Sequence, residues 1–293
     1  MQRVLVTGGN KGVGYGICKV LLDRGCFVLL GSRDVARGTE AVNNLLQDNK
    51  SFSERLELLQ IDVSDPSSVQ KAAAEVSSKF GASHLDVVVN NAGVGSRTIT
   101  GQEMMQTNLV GIKLVSDAFI PLLNQTSGRI VNVTSAAGPM FVAKCSEERQ
   151  NFFRNADLTW EQIQSVMNEI VTIDHAEMEK HGFGDWSQEP SFYGSSKALA
   201  NCLSMLLAKQ YPHLKINACT PGFIETDMTK GYMTRTGKTA AELGMKSPLE
   251  GALAPVMLAL DPVEGSGRFY GSDGVRSPLD RYRSPGEPPY EGP

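Results

Sequence analysis

Tyr193-Gly194-Ser195-Ser196-Lys197 sets a phenol and an ammonium four residues apart, a spacing that on a helix places both on one face. A lysine charge about 4 Å from a phenol, at an effective dielectric near 20, is worth roughly 4 kcal/mol, or about three pKa units. That would carry a tyrosine from about 10 toward neutrality, where it can exchange a proton. Taken alone the spacing is commonplace and describes many exposed pairs. A second chemical element lies near the N-terminus, where Thr7-Gly8-Gly9-Asn10-Lys11-Gly12-Val13-Gly14 forms a glycine-rich turn between an apolar run and a segment of helical period. Glycines there let the backbone approach a pyrophosphate, which the N–H groups and the positive helix end can hold. Alone, such a run is equally a tight turn. After the second apolar run comes Gly31-Ser32-Arg33-Asp34, then Arg37. An acid at this place suits a free ribose 2′-hydroxyl, whereas arginine suits a 2′-phosphate. Arg33 and Arg37 with Lys11 favour NADP(H) over NAD(H), and Asp34 pulls the other way.

The elements that must position these groups follow from the pattern around them. Short apolar or β-branched runs alternate with longer segments of helical period, the mark of βαβ units and a doubly wound, mostly parallel sheet of α/β class. Strands are predicted at Val4–Thr7, Phe27–Gly31, Leu56–Ile61, Val87–Asn90, Ile130–Thr134, Ile216–Cys219 and Gly267–Tyr270. Val13, Ile17, Val20 and Leu21 recur at helical spacing between the first two, with Gly25 as a stop, and Asp65-Pro66 opens another helix. Neither repeats nor a Pro/Gly linker divides the chain, so one domain over 1–277 is expected. The stretch 138–189 reads as a helical insertion, with Trp160, Ile163, Val166, Met167, Ile170 and Val171 at helical period behind an Asp157-Leu158-Thr159 cap. The end, 278–293, holds five of the chain's 14 prolines and almost no apolar residue, and is expected to be disordered.

Composition removes other classes. At roughly 150 residues per domain, 293 residues allow two domains or one large α/β unit, and 41% hydrophobic residues place the chain among ordinary globular proteins. With 28 basic and 32 acidic residues the net charge is −4, which offers no broad footprint for nucleic acid or an anionic membrane. Cys18, Cys26, Cys145, Cys202 and Cys219 are odd in number and lack CxxC or His-coupled metal spacing. His84, His175, His181 and His213 are scattered, so no metal is expected. The N-terminus shows no basic stretch, apolar core and cleavage site in order, and the apolar stretch Gly251 to Leu260 is too short to span a bilayer and contains Pro255. A soluble, cytoplasmic protein is the expectation.

Several motifs fall in one order: Thr7-Gly8 with Gly12 and Gly14, Asn90-Asn91-Ala92-Gly93, Asn108 with Gly111, Val133-Thr134-Ser135, Tyr193 with Lys197, and Pro221-Gly222. Over about residues 3 to 275 this resembles the short-chain dehydrogenase/reductase family, with its single Rossmann-type domain. Gly9-Asn10-Lys11, Arg33-Asp34-Val35-Ala36-Arg37-Gly38 and the insertion make it most similar to the carbonyl reductases. Ordinary members place the catalytic serine a dozen or so residues before the tyrosine; here Ser135 and Tyr193 are separated by about 58.

The resemblance implies NADPH-dependent reduction of lipophilic ketones, aldehydes or quinones to alcohols. Tyr193 would be the general acid, Ser135 would hydrogen-bond the carbonyl oxygen, Lys197 would hold the nicotinamide ribose and lower the phenol's pKa, and Asn108 would keep a water in line for proton relay. It further implies that Asp62-Val63 contacts the adenine, that Asn90 lies beside the cofactor, and that Pro221, Gly222, Phe223 and Ile224 with Thr226 form a loop over the nicotinamide. Gly8, Asn10, Lys11, Gly12, Val13 and Gly14 would hold phosphates, with Ala92 and Gly93 nearby. Asn91 and Ala92 read as backbone-shaping residues, Gly194 and Ser196 as helix packing, Thr134 as a strand residue and Cys219 as a small buried residue near the pocket. Phe141, Trp186, Phe223, Met228 and Met233 are candidates for an apolar substrate wall. A reductase dedicated to one alkaloid, steroid or polyketide ketone is an alternative, and a non-catalytic NADPH-binding sensor a second, which the intact Ser135, Tyr193, Lys197 and Asn108 disfavour. The partner is then a small carbonyl compound, with no nucleic acid or membrane. The insertion, entering directly before the tyrosine's helix, points to a monomer whose own chain covers its apolar stripe.

Overall fold

The computed structural model describes residues 1–81, 84–95, 99–186 and 192–292. Its strands are β1 (Arg3–Val6), β2 (Phe27–Ser32), β3 (Leu56–Gln60), β4 (Val87–Asn90), β5 (Arg129–Val133), β6 (Lys215–Cys219), β7 (Phe269–Tyr270) and β8 (Arg276–Ser277). They form one sheet in the order β3-β2-β1-β4-β5-β6-β7-β8. All pairings are parallel except β7 with β8. The seven strands expected from sequence are present, their ends shifted by a residue or two. The antiparallel β8 was not expected, because two residues carry no readable alternation.

The helices are α1 (Gly12–Asp23), α2 (Val35–Asp48), α3 (Pro66–Phe80), α4 (Gly101–Met105), α5 (Gly111–Phe119), α6 (Ala137–Val142), α7 (Glu147–Arg154), α8 (Trp160–Thr172), α9 (Phe192–Gln210), α10 (Asp227–Thr236), α11 (Pro248–Gly251) and α12 (Leu253–Leu260). A π-helical segment, Gln106–Val110, joins α4 to α5. Val4 and Val6 of β1 pack with α1, α2 and α12, while Leu5 between them packs with α3, α5 and α9. Both sheet faces are thus covered, which is why the strands read as apolar runs. The chain winds from β1 out to β3, then returns to β4 on the other side of β1. This reversal opens a crevice at the C-terminal ends of β1 and β4, the place where such sheets bind ligands.

The insertion is helical as expected, although 187–189 lie outside the described residues. Thr159 caps α8 reciprocally with Gln162, its N–H reaching the Gln162 Oε1 at 2.8 Å. Ile163, Val166, Met167 and Ile170 are buried, with Val171 half-buried beside them, in the same cluster as Leu199 and Leu203 of α9. The stripe is therefore covered by its own chain.

The tail departs from expectation, since 278–292 is ordered against the domain. Its anchors are polar rather than apolar, which is why composition missed them. Arg283 is buried, with bonds to Asp273, Ser277 and Glu287, the Tyr290 N–H donates to the Arg276 carbonyl at 3.0 Å, and Asp280 pairs with Arg154 at 2.9 Å. Pro293 lies outside the described residues. Among the described residues no helix is long and apolar enough to cross a membrane.

Candidate active site

The glycine turn bends tightly from β1 into α1. Gly12 has φ +54°, a left-handed conformation, and a Cβ on Gly14 would stand 2.2 Å from the Gly8 carbonyl oxygen, so both positions require glycine. Asn91 shapes this turn, as its residue type suggested: its Nδ2 donates to the Thr7 and Gly8 carbonyls at 2.9 and 3.2 Å. The Thr7 hydroxyl in turn accepts the N–H groups of Asn91 and Ala92, both at 3.0 Å. The loops after β1 and β4 are thereby locked together at the crevice.

Arg33 and Arg37 stand exposed at the end of β2 and the start of α2, and Arg33 has no ion-pair partner among the described residues. Asp34, the acid that complicated the reading, is committed elsewhere. It caps α2, accepting the Arg37 N–H at 3.0 Å, and lies 3.6 Å from the Arg37 guanidinium. Lys11 is an unexpected case, because its ammonium pairs with Asp227 at the start of α10 at 2.9 Å. Asp227 also pairs with Lys230, and these two partners hold its carboxyl down at about 2. The methyl of Thr226 lies 3.1 Å from where a Gly12 Cβ would be, so the start of α10 closes on the glycine turn.

Ser135 follows β5 and Tyr193 opens α9, and the two hydroxyls lie close enough for Ser135 to favour the ionised phenol despite the intervening insertion. The Ser135 Oγ also accepts the Ala137 N–H at 3.1 Å. Lys197, buried one turn on, donates from Nζ to the Val133 carbonyl at 3.1 Å and lies 5.7 Å from the Tyr193 ring centre. The electrostatics correct one expectation. Burial raises the Tyr193 phenol, and Ser135 offsets only part of that. Burial also lowers Lys197 to about 8, with Cys219 opposing, and the phenol stays above its ordinary value. Asn108 lies in the π segment, fully enclosed, its Oδ1 accepting the Val94 N–H at 2.8 Å. A Cβ on Gly93 would stand 3.2 Å from that oxygen and 3.3 Å from the Lys197 Nζ, so bare backbone separates the two groups.

Other expected contacts divide. Asp62 forms a turn, accepting from the Ser64 N–H at 2.9 Å, and the Val63 side chain is buried against Gly111. Asn10, Val13, Pro221 and Gly222 border the crevice half-exposed. Ile224 is buried against Gly251, and Thr226 caps α10. Asn90 does not present its amide at the surface: it is buried and donates to the Asn132 Oδ1 at 2.9 Å. Thr134 is a buried strand-end residue bonded to the Cys219 carbonyl. Burial pushes the Cys219 thiol up, against the nearby Lys197 charge, which suits a packing residue.

Of the expected apolar wall, Phe141 is enclosed and so cannot face a substrate. Phe141 is 0% exposed and stacks on Trp186 with ring centres 5.6 Å apart, beside Phe153 and Phe183. Phe141, Phe153 and Phe183 form the insertion's own core, and the half-buried Trp186 is fixed against them by its Nε1–H bond to the Phe183 carbonyl at 2.8 Å. Phe223 and Met228 are exposed as a wall requires. A Cβ on Gly95 would lie 2.9 Å from the Met228 Sδ and 3.0 Å from the Tyr193 ring, which puts Met228 near the phenol. Met233 lies half-buried further along α10. Two exposed apolar residues that the sequence did not single out are Tyr232, edge-on to Phe223 at 5.7 Å, and Met140 in α6. The available signal was their closeness in sequence to Met228 and Ser135.

Residues 2–147 match the short chain dehydrogenase family. The chain is 36% identical over 281 residues to (+)-neomenthol dehydrogenase of Arabidopsis thaliana, covering 87% of this chain and 92% of the relative. It is 34% identical to carbonyl reductase [NADPH] 1 of Pongo abelii, covering 91% and 94%. Among solved structures, salutaridine reductase from Papaver somniferum superposes with a TM-score of 0.76 at 30% identity, over 92% of this chain and 99% of that one.

Proposed function

The chain belongs to the short-chain dehydrogenase/reductase family, and on that premise we propose that it reduces lipophilic ketones, aldehydes or quinones to alcohols with Tyr193 as proton donor. It is an oxidoreductase of the carbonyl-reducing, NADP(H)-dependent kind. The observation that carries the reading is the Ser135–Tyr193 hydroxyl pair, set one helical turn from a buried lysine at the mouth of the crevice.

The residues fit NADP(H). The turn at Gly8, Gly12 and Gly14 leaves backbone for a pyrophosphate, and the exposed Arg33 and Arg37 suit a 2′-phosphate. When bound, the cofactor supplies the hydride. Ser135 donates a hydrogen bond to the carbonyl oxygen as negative charge grows there. Tyr193, held protonated by its burial, passes its proton to that oxygen. Lys197, charged below about 8, stabilises the resulting phenolate. Phe223, Met228, Tyr232 and Met140 supply apolar contact for a lipophilic substrate.

A reductase dedicated to one cyclic ketone is the second reading, favoured by relatives named for neomenthol, salutaridine and isopiperitenone. Oxidation of NADPH by the purified protein across a carbonyl panel separates the two: broad turnover supports the first, one efficient substrate the second. No turnover of any carbonyl sinks both. The buried stripe on α8 supports a monomer; sedimentation equilibrium giving about twice the chain's 31.7 kDa would overturn this.

A further inference from the structure

Ser196 stands between the tyrosine and the lysine of the site, in a place where alanine would fold the helix at least as well. Its side chain is 0% exposed, and its hydroxyl makes two hydrogen bonds. It donates to the Tyr193 carbonyl at 2.8 Å, one turn back, and accepts from the Asn108 Nδ2 at 3.0 Å. A helical serine commonly commits its hydrogen to the preceding turn in this way, which leaves its lone pairs to face outward. Here they face the π segment.

The Asn108 amide is fully satisfied by this arrangement. Its Oδ1 accepts the Val94 N–H at 2.8 Å, one Nδ2 hydrogen goes to the Val94 carbonyl at 2.9 Å, and the other goes to Ser196. Turning the amide over would set N–H against N–H and oxygen against oxygen at Val94. One loop thus fixes the amide's orientation, and one hydroxyl on α9 fixes its distance from Tyr193 and Lys197.

We propose that Ser196 is a positioning residue for the reduction: it ties Asn108 to α9 and so sets the spacing of Asn108, Lys197 and Tyr193. This rests on the reading of Tyr193 as proton donor. Ser196→Ala would leave an N–H of the fully buried Asn108 amide without its partner, and the π segment would relax away from α9.

The test is steady-state ketone reduction by wild type, Ser196→Ala, Asn108→Ala and the double variant, on protein shown to be folded by circular dichroism. Ser196→Ala is expected to lower kcat about tenfold while both KM values stay within about twofold. In the Asn108→Ala background the same change is expected to cost almost nothing further, since its effect passes through that amide. An unchanged kcat in Ser196→Ala, or an equal loss in both backgrounds, overturns the proposal. Should Ser196→Ala not fold, the cycle runs with Ser196→Cys, whose thiol fills the space but hydrogen-bonds weakly. A wild type that reduces no carbonyl counts instead against the proposed function, so the two failures are distinct.

Discussion

Arg283 and Asp273 form a buried pair that ties the end of the chain to the sheet. The Arg283 Nη2 reaches both oxygens of the Asp273 carboxylate, 2.6 Å to Oδ2, while Nε donates to the Ser277 Oγ at 3.0 Å and Nη1 to the Glu287 carbonyl at 2.6 Å. Every arm of the guanidinium is thus occupied, in a residue only 8% exposed.

Removing one partner leaves a charge enclosed without its counterpart, so Arg283→Ala should cost about 3 kcal/mol of stability. Urea unfolding followed by fluorescence reads this directly. Burial pushes the Asp273 carboxyl up, but Arg283 and the Gly286 and Val275 N–H groups outweigh it and hold the group below its ordinary value. A depressed carboxylate stabilises the fold above its unfolded pKa, so this contribution should fade as the pH drops below about 4. A variant with wild-type unfolding at neutral pH would show that the tail adds nothing.

Cofactor choice should rest on Arg33 and Arg37. Replacing both by neutral residues should weaken NADPH far more than NADH, by roughly 1.5 to 3 kcal/mol for each charged hydrogen bond lost. Calorimetric titration with both cofactors decides it, and wild type preferring NADH would end the argument. Lys11 should matter less, since Asp227 already engages it.

Tyr193→Phe retains the ring and removes the proton. Its kcat should fall by about 10² or more with little change in cofactor affinity. Near-normal turnover by this variant would require another acid.

Lys197 should leave a mark on stability that can be read without substrate. Burial lowers its pKa to about 8 from an ordinary 10.5, so between those values the unfolded chain binds a proton that the folded chain does not. Stability from this group therefore rises with pH across that window, and the charged form at pH 7 is the costly one. Lys197→Met should gain stability relative to wild type at pH 7, by about 3 kcal/mol, and lose most of that advantage by pH 10. Denaturation curves at pH 7, 8, 9 and 10 suffice, and parallel curves would mean that the lysine is not held in a low-dielectric site.

The sheet could be read from sequence because a strand covered on both faces leaves an unbroken apolar run, as in Val87 to Asn90. The proposed catalytic set was legible because Tyr193 and Lys197 share one helix and Ser135 follows a strand, all positions that motif order fixes. What escaped depends on side chains meeting across long separations. Phe141 reads equally as pocket wall or core, and only Phe153, Phe183 and Trp186 around it decide for core. The tail looked too polar to fold because hydrophobic content does not register a buried guanidinium. Ser196 looked like helix packing because its partner Asn108 lies 88 residues away in the chain.

All five thiols lie buried. Cys18, Cys145, Cys202 and Cys219 are each held well above the ordinary thiol value by that burial, so little thiolate exists at neutral pH. An electrophile that alkylates through exposed thiolate finds none on this surface.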